Sequence, residues 1–425
     1  DLERSIGLER DSEQIYHFLL GDPNMGNVAD KVIKQLEPEN VKYMQTWSKQ
    51  FSAPYSNEEI NLLSELSQEI DKLWALQIKL RKEVRNKTQD KLSIYGREEV
   101  NSSNKKEKNA SSIDNDQGQL YSVSEIEALD EADAGNNVSE KAECLPIREK
   151  DRLCAQFYKS EHMKESGPYA RLKFAMDYWC ALWFWPIEKA KLLPSRSEFL
   201  LELRLLLIGV LSPEKFKLAD ALQTDLFSVN IDELCADSER LALVREIAKQ
   251  QHFMHWELEF ADVFASRGGF DLIIGNPPWI KVEWEEKGVL ADSQPQFALK
   301  SLTAHQTAEK RQSALANASL RSLYLNEFQS VNGQQNFLSV IQNYQILAGQ
   351  KSNLYKCFLP LAWQKKSSQG CAAFVHPEGV YDDPKGGALR ETLYKYLRYH
   401  FQFANEKKLF SEVGNRIRFS LNVYG

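Results

Sequence analysis

Phe270-Asp-Leu-Ile-Ile-Gly275 is a short apolar run bounded by Gly269 and Gly275, and it leads directly into Asn276-Pro277-Pro278-Trp279. Such a run suits a strand buried on both faces of a parallel sheet. Two consecutive prolines fix the backbone and lack N–H donors, so ladder pairing must stop there and a rigid loop must follow. Ligands of an open α/β sheet gather at the carboxyl ends of its strands, which makes Asn276–Trp279 an expected active-site loop. Its polar groups are carbonyl oxygens and the Asn276 side chain, beside an aromatic ring. A rigid pair of acceptors next to an aromatic plane suits the holding of a planar exocyclic amine.

The surrounding chain has the grammar of a layered α/β protein. Beyond Ser238, helices are expected at Glu239–Gln250, Leu354–Gln364 and Ala388–Leu397, and strands at Cys371–His376, Tyr399–Ala404 and Phe419–Tyr424. A polar excursion of about 70 residues separates the prolines from Leu354. This alternation predicts a doubly wound sheet with right-handed crossovers over residues 238–425. Residues 1–96 read as a mostly helical region: Leu62, Leu63, Leu66, Ile70, Leu73, Trp74 and Ile78 recur at helical spacing after Asn57, an expected N-cap, and Asn24-Met-Gly26 reads as a turn. Residues 97–145 form an acidic low-complexity linker or insertion. Residues 146–237 form a helical layer, with an aromatic cluster at Met176–Pro186 and an apolar helix at Ser197–Leu211. Rings at helical spacing read as core here, in preference to a base-stacking platform.

Charge at first argues against a polyanionic partner: 53 Lys+Arg stand against 60 Asp+Glu, a net −7. Nine acidic residues and one lysine lie between Asp114 and Glu143, so that stretch alone carries −8 and the remainder of the chain +1. The objection therefore falls away. Six scattered cysteines without a C-x-x-C pair, no apolar span long enough for a bilayer and no signal pattern predict a reduced, cytoplasmic protein. The chain starts at Asp1 and stops directly after an apolar run, and is expected to be a piece of a longer polypeptide.

The segment Phe270–Trp279 resembles the catalytic motif of the amino-group DNA methyltransferases, (D/N/S)PP(Y/F/W), in the form typical of adenine-N6 enzymes. Ser352-Asn353-Leu-Tyr355-Lys-Cys-Phe358 resembles the helix that follows in that superfamily, and Gly370–Gly379 with Gly387-Ala-Leu-Arg390 its next strand and loop. Phe410-Ser-Glu-Val413 precedes its usual closing hairpin. Upstream, His255–Phe264 and Trp179–Pro186 resemble the large single-chain Eco57I-like methylases of type IIG restriction-modification and phage defence. The resemblance covers residues 176–425.

That resemblance implies an incomplete Rossmann-like core dependent on S-adenosylmethionine, acting on double-stranded DNA with a flipped adenine. In it Asn276, Pro277, Pro278 and Trp279 are catalytic. Trp279 stacks on the extruded ring, while the Asn276 side-chain oxygen and the Pro277 carbonyl accept the two N6 hydrogens and aim the nitrogen lone pair at the methyl sulfonium. The sequence departs from the pattern in one respect: none of its 20 glycines has another two residues away, so the family's G-x-G cofactor turn is absent. The N-terminal cofactor-binding half and the C-terminal target-recognition segment are therefore expected in parts of the parent chain not included here. Asp262 or Glu259, in the preceding strand region, are candidates to touch the cofactor adenine, and Phe270 to line that pocket. A degenerate methylase that holds a base without transferring a methyl group, and methylation of RNA or of protein glutamine, remain alternatives; the flanking segments favour DNA.

Other signals are weaker. His252 and His255 stand one helical turn apart, lack a third metal ligand nearby, and read as structural or capping groups. Pro377-Glu378 with Asp382-Asp383-Pro-Lys385 imitates nuclease carboxylates and reads as the loop after a strand. Lys395, Arg398, Lys407, Lys408, Arg416 and Arg418 form a basic set that is either a solvated face or a phosphate contact.

Overall fold

A computed structural model describes residues 14–88, 146–159, 166–209, 229–299, 302–350 and 353–425. The expected acidic linker lies outside these residues, as do the last two residues of the apolar segment Ser197–Leu211. Before the first strand come helices α1 (Lys31–Leu36), α2 (Pro38–Phe51), α3 (Asn57–Thr88), α4 (Ile147–Lys159), α5 (Pro168–Ala181), α6 (Arg196–Ile208), α7 (Ile231–Asp237), α8 (Glu239–Gln251), α9 (Trp256–Glu259) and α10 (Ala261–Arg267). Strand β1 (Phe270–Gly275) is followed by α11 (Glu286–Ser293), α12 (Gln296–Leu299), α13 (Ala304–Ala314), α14 (Ala318–Ser339), α15 (Ile341–Tyr344) and α16 (Leu354–Lys365). Then come β2 (Lys366–Pro377), α17 (Gly379–Asp382), α18 (Gly387–Tyr396), β3 (Leu397–Ala404) and β4 (Arg418–Tyr424). The chain divides into two compact units, Glu83–Phe157 and the remainder; of the first, only the last turns of α3 and most of α4 are described.

In the larger unit the aromatic cluster is core. Tyr178, Trp183 and Trp185 are fully buried and Trp179 nearly so, within an apolar cluster that joins residues of α1–α3 to α5–α8. Indole N–H groups find carbonyls there: Trp179 donates to Leu20 at 2.8 Å and Trp185 to Lys189 at 3.0 Å. Arg196 fastens the N-terminal helices to α6. Its guanidinium donates to the carbonyls of Gln50 and Ala53 (2.7 Å each) and of Phe51 and Pro54 (3.1 Å each), satisfying the open end of α2. Ser56, not Asn57, caps α3: its hydroxyl accepts from Glu59 N and its own N–H donates to the Glu59 carboxylate, a reciprocal cap.

Two stretches, one after β1 and one before it, prove helical. The polar excursion is mostly helix, and the 22-residue α14 buries Leu320, Tyr324, Leu325 and Phe328 on one side. Its apolar residues do recur at helical spacing, diluted by glutamines and asparagines. Residues 255–267, expected near a strand, form α9 and α10.

The protein is thus mixed α/β, mostly helical, with a small four-stranded mixed sheet in the order β1-β2-β4-β3. β1 and β2 run parallel, and β4 is antiparallel to both β2 and β3, so β1, β2 and β3 point the same way. Ala372, Phe374 and His376 of β2 face the helices, where Tyr355, Leu359, Trp363, Leu389 and Leu393 pack. Among the described residues the opposite face is not covered. Leu272 and Ile274 of β1 are 56% and 73% exposed, and their cross-strand relations lead through Ala373 and Val423 to Tyr399, Phe401 and Leu421, all exposed. The described residues therefore do not show the doubly buried strand or the doubly wound sheet: among them β1 is an edge, and helices shield one face.

Glycine sets the approach of β1 to β2. Gly269 has φ +144°, and a Cβ there would lie 2.4 Å from the Lys365 carbonyl; at Gly370 it would lie 2.3 Å from the Phe270 carbonyl. No described helix is long and apolar enough to cross a membrane. The five described cysteines are free thiols.

Gly370→Ala is expected to force β1 from β2 and lower the unfolding free energy by about 1–3 kcal/mol, read as a lower urea midpoint. Gly288→Ala, in α11 with its nearest neighbour 4.0 Å away, should be neutral or stabilising.

Candidate active site

Because β1, β2 and β3 are co-directional, the loops that leave them emerge at one end of the sheet. The first is Asn276–Lys281. Asn276 and Pro278 are exposed, Pro277 is buried and Trp279 half-buried. The loop begins where Gly275 pairs with Phe374. In its middle the Trp279 indole N–H donates to the Val375 carbonyl at 3.2 Å, and at its end Leu354 N donates to the Ile280 carbonyl at 3.0 Å. Just beyond, Gln335 of α14 donates to the Val282 carbonyl at 2.7 Å. Proline rigidity and these tethers to β2, α16 and α14 fix a loop whose Asn276 faces solvent.

The loop after β3 closes over Trp279. The Phe410 ring lies 4.6 Å from the Trp279 ring, centroid to centroid, and meets Phe419 edge-on at 5.0 Å. Fully buried Asn405 holds this loop: its Nδ2 donates to the carbonyls of Phe410 (2.9 Å) and Val413 (2.8 Å), and its Oδ1 accepts from Phe410 N (3.1 Å). Nothing in the sequence singled out Asn405, since an asparagine after a strand usually means only a turn.

Behind the motif lies a buried polar network that the sequence did not reveal. His376 Nε2 is 2.7 Å from the Tyr424 hydroxyl and 2.9 Å from Asn422 Nδ2, while Nδ1 is 2.9 Å from the Pro377 carbonyl. The Asn422 amide donates to Nε2, so Nε2 accepts and Nδ1 carries the proton of a neutral ring. Asn422 Oδ1 in turn accepts from Tyr381 at 2.6 Å and His400 at 2.7 Å. Burial keeps the His376 imidazole below its ordinary pKa and lifts the Tyr381 and Tyr424 phenols above theirs, so both hydroxyls stay protonated.

The residues expected at the cofactor are placed apart from this loop. Phe270 begins β1, roughly 20 Å of extended strand before Asn276, and packs edge-on against Trp256, Phe260 and Phe264. Glu259 accepts from the Tyr169 hydroxyl at 2.5 Å and lies 3.9 Å from Arg81. Asp262 sits in the first turn of α10. The described residues thus bring together Asn276, Pro277, Pro278 and Trp279, and do not gather Glu259, Asp262 and Phe270 into a pocket beside them.

The remaining signals resolve into structure. His252 takes the left-handed cap of α8, and His255 Nε2 lies 2.8 Å from Asp177. Asp383 pairs with Lys356, and Glu378 accepts from Gln402 at 3.1 Å in the loop after β2.

Comparison with known proteins agrees with the reading of this region. A family model, the Eco57I restriction-modification methylase, matches residues 169–320. The match supports a methylase of this family. It spans α5 to the start of α14 and includes Asn276–Trp279, about a third of the chain. No curated protein and no solved structure matches.

Two desolvated imidazoles, one buried and one half-buried, give a pH test. Burial holds His17 at about 4 and His376 below its ordinary value near 6.5. Both favour the neutral form when folded, so the unfolded chain takes up protons first as pH falls below about 6.5, and stability is lost on the acid side. Urea midpoints should fall between pH 7.5 and 5, and the fall should be smaller in His17→Gln and in His376→Gln than in the wild type.

Proposed function

We propose that this chain carries the amine-binding side of an adenine-N6 DNA methyltransferase of a restriction-modification or phage-defence system. The observation that carries the reading is the rigid Asn276-Pro-Pro-Trp279 loop, tethered at the carboxyl end of β1 within the region the methylase model matches. An adenine N6 is a weakly basic planar amine. The Asn276 side-chain oxygen and the Pro277 carbonyl accept its two hydrogens, drawing the nitrogen towards a tetrahedral geometry with its lone pair free. Trp279 offers a face to the extruded base, at a flipping cost of ~a few kcal/mol. Such direct transfer requires no nucleophilic cysteine.

The methyl group would come from S-adenosylmethionine. The described residues do not build its pocket: the glycine turn is absent from the sequence, Glu259 is engaged by Tyr169 and Arg81, and Phe270 is enclosed by aromatic rings. We assign the cofactor to a further segment or subunit that pairs with the edge of β1 left unpaired among the described residues. The uncovered Leu272 and Ile274 support that assignment, because parallel sheets are normally buried on both faces. Asp262, in the first turn of α10, stays a proposed cofactor contact in that assembly. The same missing turn favours, as a second reading, a methylase-like module that holds a base without transfer.

Mapping N6-methyladenine in the genome of a host that expresses the whole parent polypeptide decides between them. Asn276→Ala should lower transfer by at least about 10²–10³-fold, the usual cost of losing one oriented acceptor or donor; unchanged methylation would sink the mechanism. Titration calorimetry of the isolated chain should detect weak or no S-adenosylmethionine binding, and a micromolar affinity would overturn the two-part assignment.

A further inference from the structure

We propose that the loop Asn405–Ile417 is the base-flipping element of this protein, with Leu409 as the wedge that enters the DNA duplex where the base leaves it. This rests on the base-binding reading of Asn276–Trp279. Leu409 is a large apolar side chain left 76% exposed. Its chain neighbour Phe410 packs on Trp279, so the wedge is one residue, or ~3.8 Å of backbone, from a ring that touches the motif.

The loop is built to hold Leu409 outward. Asn405 N donates to the Ile417 carbonyl at 3.1 Å and closes the neck, while the buried Asn405 side chain binds both Phe410 and Val413. Lys408 N donates to the Asn405 carbonyl at 2.9 Å with φ +51°, a left-handed turn adopted by a residue with a side chain. The chain reverses at Lys408, and Phe410 is drawn inward while Leu409 stays in solvent. A slack loop would let the leucine fold back; this one is clamped on both sides of it.

The charge around the wedge suits a polyanion. Lys407, Lys408, Arg416 and Arg418 are exposed, and none of them forms an ion pair among the described residues. Glu406 and Glu412 reduce the loop with Arg418 to a net +2. Proteins that distort DNA insert apolar side chains between base steps while cationic groups hold the backbone, and the filled gap offsets unstacking that costs ~a few kcal/mol. Leu409 between Lys408 and the Phe410–Trp279 pair has that arrangement. A base that moves towards Asn276 leaves its gap beside the same loop.

The test compares two labelled duplexes that differ at one position: one fully paired, the other with an abasic residue opposite an adenine, so that this adenine is already unpaired. Leu409→Ala should bind the paired duplex about tenfold or more weaker than the wild type and the pre-opened duplex within about threefold, and Leu409→Phe should restore binding of the paired duplex. Because Leu409 is exposed, its variants should keep the wild-type urea midpoint. Equal loss on both duplexes would make Leu409 an ordinary surface contact, and no loss on either would remove it from the interface; each overturns the wedge. Asn276→Ala reports separately on base capture and should abolish the wild-type preference for the pre-opened duplex. If that preference is absent in the wild type, the base-binding reading fails, whereas the wedge is judged from the Leu409 ratios alone.

Discussion

The parallel ladder between β1 and β2 is the constraint on which the site depends. β1 has no other strand neighbour among the described residues, so the position of Asn276 is inherited from the register Leu272–Cys371 to Gly275–Phe374. That register requires Gly269 and Gly370 at the entry, where carbonyl oxygens approach too closely for any Cβ. It also brings the Val375 carbonyl to the indole of Trp279 one step beyond the last pair. A slip by one residue would reverse the faces of β1 and put Ile273 into solvent in place of Ile274. Chemistry at the loop and packing at the strand are thus the same constraint.

The sheet has two unlike faces, and the difference is chemical as well as geometric. Towards the helices lies an apolar layer ending, at the carboxyl edge, in His376, Asn422, Ser420 and the Tyr381 and Tyr424 hydroxyls. Nearly every hydrogen-bonding group there is paired, so the network stiffens the edge from which the loops leave. Towards solvent lie Leu272, Ile274, Tyr399, Phe401, Phe403 and Leu421. In the proposed two-part reading this apolar face, on a sheet whose parallel edge is unpaired among the described residues, is where further protein packs, since aromatic and aliphatic rows of this kind are costly to leave in water.

Much of this was legible in the sequence, and the failures have specific causes. β1, the rigid loop, β3, β4 and α8, α16 and α18 follow from short apolar runs, proline and helical periodicity, within a few residues. The continuous apolar character of β1 predicts burial on both faces, but it reports what a strand is suited to and not what covers it. α14 was hidden because Gln329, Asn332 and Gln335 interrupt its apolar stripe, yet those polar groups are used: Asn332 donates to the Asn27 carbonyl at 2.8 Å and Gln335 to Val282. His376 and Asn422 could not be found from the sequence because they lie 46 residues apart and meet only through the β2–β4 register.

The proposed separation of the amine-binding loop from the cofactor also follows from the sheet. Adjacent strands lie ~4.8 Å apart, so loops leaving the same end of neighbouring parallel strands are within reach of one another, whereas loops two or three strands away are not. Asn276 leaves the last strand of this sheet, and its inner neighbour β2 delivers His376 and Pro377, which are committed to the buried network, and Glu378, which accepts from Gln402. A group that must come within ~3.5 Å of an amine held at Asn276, in line for displacement, can approach from the other side of β1. In the proposed reading the methyl donor therefore belongs beyond the free edge, and the exposure of Ile274, directly before the loop, marks the side from which it arrives.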